Sequence, residues 1–322
     1  MHLLPFPKNI SIKIINLIHW LKPIGLVLFS TFATFTLISR IGIYFPTGST
    51  SFDWLGDHSF YILMAESIQD SNIAPYCWRI AVPFLSSLFP STMIGFLSIA
   101  IISFIFSGVS VYLLAEAFGF NKVLSIFGVL LFYSIEGIQY ALYNFWLPDA
   151  LTITIIVISI LAIHYKKDLF LIIILMIGVT VKESILFVIP LYYSLNAKKI
   201  IDLQLLKRTF IIGFPAVLVL ITIRFLIVND NGSYNYLMLL NQMLPNHIHN
   251  FSINEYLIKS FGLTAFLPFL SIKKNKELFI QFSPFILLVF SQLLFATDTF
   301  RLLAFCFPAT ILMSLNSLDC KK

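Results

Sequence analysis

The chain has 322 residues, of which 59% are hydrophobic and 11% charged, with a formal net charge of +6 and a mean hydropathy of +0.92. So much apolar side chain, 34 Phe included, leaves too little polar surface to cover a soluble globule; this excludes a water-soluble enzyme and leaves an all-α, polytopic membrane bundle. Cys77, Cys306 and Cys320 are an odd set without metal-ligand spacing, so no disulfide framework is expected.

Crossing ~30 Å of hydrocarbon takes about 20 helical residues. On that measure about eight full spans are expected, near 24–45, 92–116, 123–141, 149–165, 209–228, 260–272, 277–296 and 300–317. The first is too long for a signal-peptide core and lacks a small-residue cleavage site, so it is expected to be retained. No internal repeat or low-complexity tract interrupts the pattern, and 1–322 reads as a single transmembrane domain without a separate soluble domain. On these spans, six of the 21 basic residues (Arg40, Arg79, Lys182, Arg224, Lys259 and Arg301) fall in the outer half, and all the others gather at the opposite face. The positive-inside rule then puts both termini in the cytoplasm of a cell inner membrane. The basic excess is thereby topogenic, and a nucleic-acid partner is not expected.

The stretch 169–197 lies between two basic clusters that belong on the same side. Two short helices, 169–181 and 184–196, each ~20 Å long at 1.5 Å per residue, resolve the conflict as a hairpin whose Thr180-Val181-Lys182-Glu183 apex sits in a protein-lined cavity.

The first outer loop carries the densest chemistry. From Asp57, the residues Phe60, Tyr61, Met64, Ala65 and Ile68 recur at helical spacing, with Ser59, Glu66, Ser67, Gln69 and Asp70 largely opposite, as in an interfacial amphipathic helix. Asp57 at its start suits either a helix cap or a general base facing the water–lipid boundary; Asp53 is the rival base. Paired acids here could also hold a divalent cation (Mg or Mn) beside a phosphate leaving group. His58 reads as a surface residue or a support behind the reacting groups. Downstream, Tyr76-Cys77-Trp78-Arg79 opens a short apolar segment ending at Pro90, which suits a re-entrant or interfacial helix. The Arg79 guanidinium suits a phosphate, or equally a lipid headgroup.

Lys182 and Glu183 are adjacent, so on a helix their side chains diverge by ~100° and each needs its own partner. A phosphate or an interhelical acid suits Lys182; a sugar hydroxyl or an arginine such as Arg79 suits Glu183. Near the C-terminus, Thr297-Asp298-Thr299-Phe300-Arg301 opens a helix, with Asp298 as a cap and Arg301 aimed at the same anionic group as Lys182. The loop 229–258 offers Tyr234, Tyr236 and Tyr256 for stacking on sugar, and its His247-x-His249 pair reads as polar loop rather than metal site.

Four stretches together resemble the GT-C superfamily of integral membrane glycosyltransferases that use polyprenyl-phosphate-linked sugars. They are Gly56-Asp57-His58-Ser59-Phe60-Tyr61 with Met64-Ala65; Ala74-Pro75-Tyr76-Cys77-Trp78-Arg79-Ile80-Ala81-Val82-Pro83; Thr180-Val181-Lys182-Glu183-Ser184; and Asp298-Thr299-Phe300-Arg301-Leu302-Leu303 with Pro308 beyond. The resemblance implies a GT-C-like bundle and inverting transfer from a polyprenyl-phosphate sugar to a glycan, lipid or protein acceptor at the extracytoplasmic face. It implies no nucleotide cofactor, frequent help from a divalent cation, and an outer-loop acid as catalytic base, here Asp57 with Asp53 in reserve. Arg79, Lys182 and Arg301 would hold the phosphate, with Glu183, His58, Tyr61 and Trp78 as further substrate contacts. The chain departs from larger members in lacking a soluble C-terminal domain and any Asp-x-Asp pair in that loop. A transporter or lipid-linked-glycan flippase, a noncatalytic assembly subunit, and a polymerase or ligase of lipid-linked glycans are the rival readings.

Overall fold

The computed structural model describes residues 8–43, 57–67, 73–199, 201–227, 236–296 and 298–320, with backbone alone for 8–22 and 236–238. Asp53, Ile68, Gln69, Asp70, Tyr234 and Thr297 lie outside the described residues, as does the Tyr236 side chain. The described residues form helices and no strand: α1 (Lys8–Ile41), α2 (Asp57–Glu66), α3 (Ala81–Ser87), α4 (Thr92–Ala117), α5 (Lys122–Ser134), α6 (Glu136–Tyr143), α7 (Asp149–His164), α8 (Asp168–Val181), α9 (Val188–Asn196), α10 (Leu203–Leu226), α11 (Tyr236–His249), α12 (Ile272–Ser291), α13 (Thr299–Leu303) and α14 (Phe307–Leu318).

Five helical stretches are long and apolar enough to cross a membrane: Pro23–Ile41, Thr92–Ala117, Leu203–Leu226, Leu267–Leu294 and Thr299–Leu318. A sixth is reached if α5 and α6, bent by 62°, count as one. By length and composition, five or six of the eight expected spans have a regular helical counterpart among the described residues. The helix expected at 149–165 is the 16-residue α7, short of a span by itself. The chain at 260–272 runs beside α14 largely in 3₁₀ turns instead of a regular helix, from the Thr264–Thr310 hydroxyl contact to Pro268 beside Ser317. The hairpin expectation holds: α8 and α9 are joined by an extended Lys182 and a 3₁₀ turn over Glu183–Phe187.

Local sequence accounts for several boundaries. Asn121 and Asp202 each accept a backbone N–H three residues on, capping α5 and α10. The α5–α6 bend falls at Ile135, whose extended backbone (ψ 117°) breaks the helical ladder. Beyond it, α6 lies against α13 so closely that a Cβ on Gly137 would sit 2.5 Å from the Phe300 carbonyl oxygen and 2.6 Å from the Ala304 methyl. That approach brings Tyr140 and Tyr143 up to Arg301.

The bundle has two chemically distinct ends. At one, the turn around Phe118–Lys122, the start of α12 at Lys274–Glu277 and the end of α14 at Asn316–Asp319 meet, with Lys274 donating to the Asp319 carbonyl. At the other, the N-termini of α2, α7 and α13, the α8–α9 apex and the C-terminus of α10 converge on one polar region.

Candidate functional site

The cluster is built from four separated pieces of chain. Lys182 is extended (φ −161°), so its side chain and that of Glu183 leave the apex in different directions and find different partners. Lys182 Nζ lies 2.5 Å from Asp149 Oδ1 and 4.8 Å from the Phe305 ring centre. Glu183 takes a two-pronged grip from Arg79, with Nε 3.0 Å from Oε2 and Nη2 2.5 Å from Oε1, while Arg79 Nη1 donates to the Tyr61 hydroxyl at 3.0 Å. Such fork-on-carboxylate pairs fix orientation as well as charge.

Arg301 is the hub. Its Nη2 is 2.7 Å from Asp298 Oδ2 and 3.3 Å from Asp57 Oδ2, and its Nε is 3.2 Å from Asp149 Oδ2. The last is a charge contact without hydrogen-bond alignment, so both atoms are left without a hydrogen bond. Asp149, only 1% exposed, therefore answers two buried cations, Lys182 at 2% and Arg301 at 8%. A buried carboxylate is held charged only by such pairing. Asp57 completes the set by accepting from the Tyr76 hydroxyl at 2.6 Å. Tyr76 is itself stacked on Phe60, with ring centres 4.6 Å apart.

Protonation states follow from these surroundings. Burial pushes the Tyr61 hydroxyl up to about 12 against the pull of Arg79. Burial, reinforced by the charge on Asp57, pushes Tyr76 up further, so both remain donors at neutral pH. Burial works against the charge on Arg79, but Glu183 and Tyr61 more than offset it and the guanidinium stays charged. Burial lowers His58 against the opposing charge of Asp57.

Two cavities meet at this hub. The larger, about 490 Å³, is lined by Arg79, Lys182, Glu183, Arg224 and Tyr76 and by the apolar Phe187, Leu239, Met243, Phe295 and Leu302. The smaller, about 280 Å³, is lined by His58, Tyr140, Tyr143 and Asn144. Asp57, Asp298 and Arg301 line both. In the smaller one the buried Asn144 Oδ1 accepts no hydrogen bond, which leaves an acceptor for a hydroxyl-bearing ligand.

Asp57, Arg79, Lys182, Glu183, Arg301 and Tyr61 thus converge, and Trp78 stands beside them under Arg224, 4.5 Å from ring centre to guanidinium carbon. His58 is not a surface residue: it is 7% exposed, on the inward face of α2 with Phe60, Tyr61, Met64 and Ala65. Tyr256 does not line either cavity; its hydroxyl pairs with His247 Nδ1 at 2.6 Å, and Leu239 and Met243 of α11 form the wall instead. His247 Nε2 faces the Ala296 carbonyl at 2.8 Å, which ties α11 to the segment before Asp298. Asp149 and Tyr76 join the cluster although the sequence assigned neither a role of its own. For Asp149 the signal was an acid on the first turn of an otherwise apolar helix.

Among the described residues no three His, Cys, Asp or Glu side chains converge on one point, and Asp57, Asp149 and Asp298 all face Arg301. The chemistry below uses the chain's own groups. No protein family, curated protein or solved structure matches this chain.

Proposed function

We propose that the protein is a membrane-embedded, GT-C-like glycosyltransferase that moves a sugar from a polyprenyl-phosphate donor to a hydroxyl of a glycan, lipid or protein acceptor, with inversion. The observation that carries the reading is that two cavities of different character share a wall of Asp57, Asp298 and Arg301, in which Asp57 is the carboxylate oriented by both Arg301 and the Tyr76 hydroxyl. A transferase needs two substrates to meet at one base, and a wall residue common to two pockets meets that need.

The larger cavity, part cationic and part apolar, suits a phosphate carried on hydrocarbon. The smaller, lined by two tyrosines, a histidine and an asparagine, suits a hydroxylated acceptor. In the proposed step the acceptor hydroxyl gives its proton to Asp57 and its oxygen bonds to the anomeric carbon. The bond from that carbon to the phosphate oxygen breaks on the opposite face, and the electron pair leaves with the phosphate. Arg301 and Tyr76, both on the Asp57 carboxylate, orient it. The cations of the larger cavity stabilise charge that grows on the leaving group. In this reading the site faces the extracytoplasmic side of the inner membrane and the lysine-rich end faces the cytoplasm.

The test is consumption of polyprenyl-phosphate sugar by membranes holding equal amounts of wild type and Asp57→Asn. Equal turnover in the two discards Asp57 as base, and turnover lost only in Asp53→Asn moves the role there. One observation favours a transporter or flippase, the buried Lys182–Asp149 pair at a break between short helices. That reading expects lipid movement across vesicles with no sugar transferred.

A further inference from the structure

Four cations line the larger cavity: Arg79, Lys182, Arg224 and Arg301. Three are matched by carboxylates, Arg79 by Glu183, Lys182 by Asp149, and Arg301 by Asp57, Asp149 and Asp298. A phosphate arriving at any of these would have to displace an existing anion. Arg224 differs, since its recorded partner is the Trp78 ring and no carboxylate among the described residues pairs with it. A ring holds a guanidinium in place without cancelling its charge, because the aromatic quadrupole carries no net charge.

Position adds to the charge argument. Arg224 occupies the last turn of α10, and the next two residues, Phe225 and Leu226, are 83% and 71% exposed on a helix long and apolar enough to cross the bilayer. A cation on a last helical turn also answers the helix dipole. That role alone does not require it to line a cavity, as Arg224 does beside Leu239 and Met243. The site therefore offers an uncancelled fork of N–H donors at a cavity mouth, next to apolar wall.

We infer that Arg224, braced by Trp78, is the docking point for the phosphate of a lipid-borne ligand that reaches the larger cavity from the bilayer. The inference rests on the transferase reading for the identity of that ligand, a polyprenyl phosphate rather than a bulk phospholipid headgroup. It relocates first contact with the phosphate from Arg79, Lys182 and Arg301 to a residue whose charge is not already spent.

The experiment measures equilibrium binding of radiolabelled polyprenyl monophosphate to the full-length protein in phosphatidylcholine nanodiscs. Wild type, Arg224→Gln, Arg224→Lys and Arg40→Gln are compared; the last removes an equal charge from the end of α1, outside the cavity. The expected result is saturable binding to wild type and Arg40→Gln, weakened roughly tenfold or more in Arg224→Gln and less in Arg224→Lys. Excess phosphatidylglycerol should not displace the probe. Absence of binding to wild type, or unchanged affinity in Arg224→Gln, overturns the inference. Displacement by phosphatidylglycerol reduces Arg224 to a headgroup anchor and also overturns it. Should Arg224→Gln not fold, undiminished affinity in Arg224→Lys decides against the two-donor grip. Binding is scored without turnover, so a protein that binds the probe yet transfers no sugar keeps this inference and loses the transferase, and an active transferase with unaltered Arg224→Gln binding does the reverse.

Discussion

Arg301 Nη2 stands 3.3 Å from Asp57 Oδ2, although the two residues are 244 positions apart in the chain. The contact joins the outer-loop helix α2 to the C-terminal helical pair, and it places the candidate base on a cation that also reaches Asp149 and Asp298.

The first consequence concerns turnover. Replacing Asp57 by Asn keeps the volume and one acceptor oxygen but removes the proton acceptor, so transfer should fall by roughly 10²- to 10⁴-fold. Tyr76→Phe, which removes the donor to Asp57 Oδ1, should cause a smaller loss. Sugar release from the lipid carrier, measured at equal protein, checks both.

Asp149 is a stability residue for the whole cluster. Asp149→Ala leaves Lys182 and Arg301 buried without their common anion, and breaking a buried pair costs about 3–5 kcal/mol. The variant should melt well below wild type in detergent, whereas Asp57→Asn, on a carboxylate 30% exposed, should not.

The Arg79–Glu183 grip makes a double-mutant cycle informative. Each single change to Met strands a charge, and the double change strands none, so the pair should show a coupling of about 0.5–3 kcal/mol in thermal unfolding. Additive losses would show that the grip contributes no coupling.

Close packing of α6 on α13 predicts a contrast between two glycines. Gly137→Ala pushes a methyl into the Phe300 carbonyl and should cost about 1–3 kcal/mol. Gly25→Ala, on α1 with open space around it, should be neutral or slightly stabilising. Apparent melting temperatures of the two variants check the sign.

The two cavities predict separable kinetics. Tyr143→Ala, in the smaller one, should raise KM for the acceptor and leave donor binding unchanged. An equal effect on both substrates would contradict the division of roles.

The helical membrane class, the α2 residues that share one apolar face, the α8–α9 hairpin and the convergence of Asp57, Arg79, Lys182, Glu183 and Arg301 were legible in the residues; that this α2 face packs into the protein core was not. In a chain this apolar each polar side chain is costly, so the few that are present mark where water or partners must be. Apolar length was less informative. The segment 260–272 is apolar enough for a helix, yet it follows α14 in 3₁₀ turns fixed by contacts such as Thr264 with Thr310 and Asn275 with Pro268.

Composition and spacing by themselves determined that the chain is a helical bundle suited to a bilayer and that its charges divide between two ends, because hydropathy and helical period are properties of local sequence. Tertiary structure alone decided which charge answers which. Of the two partners the sequence left open for Glu183, a sugar hydroxyl or Arg79, the packing supplied Arg79; Asp149 became the shared anion, and Arg224 was left facing an aromatic ring. Coulombic pairing depends on distances of a few ångströms between segments far apart in the chain, and only the packed helices set those distances.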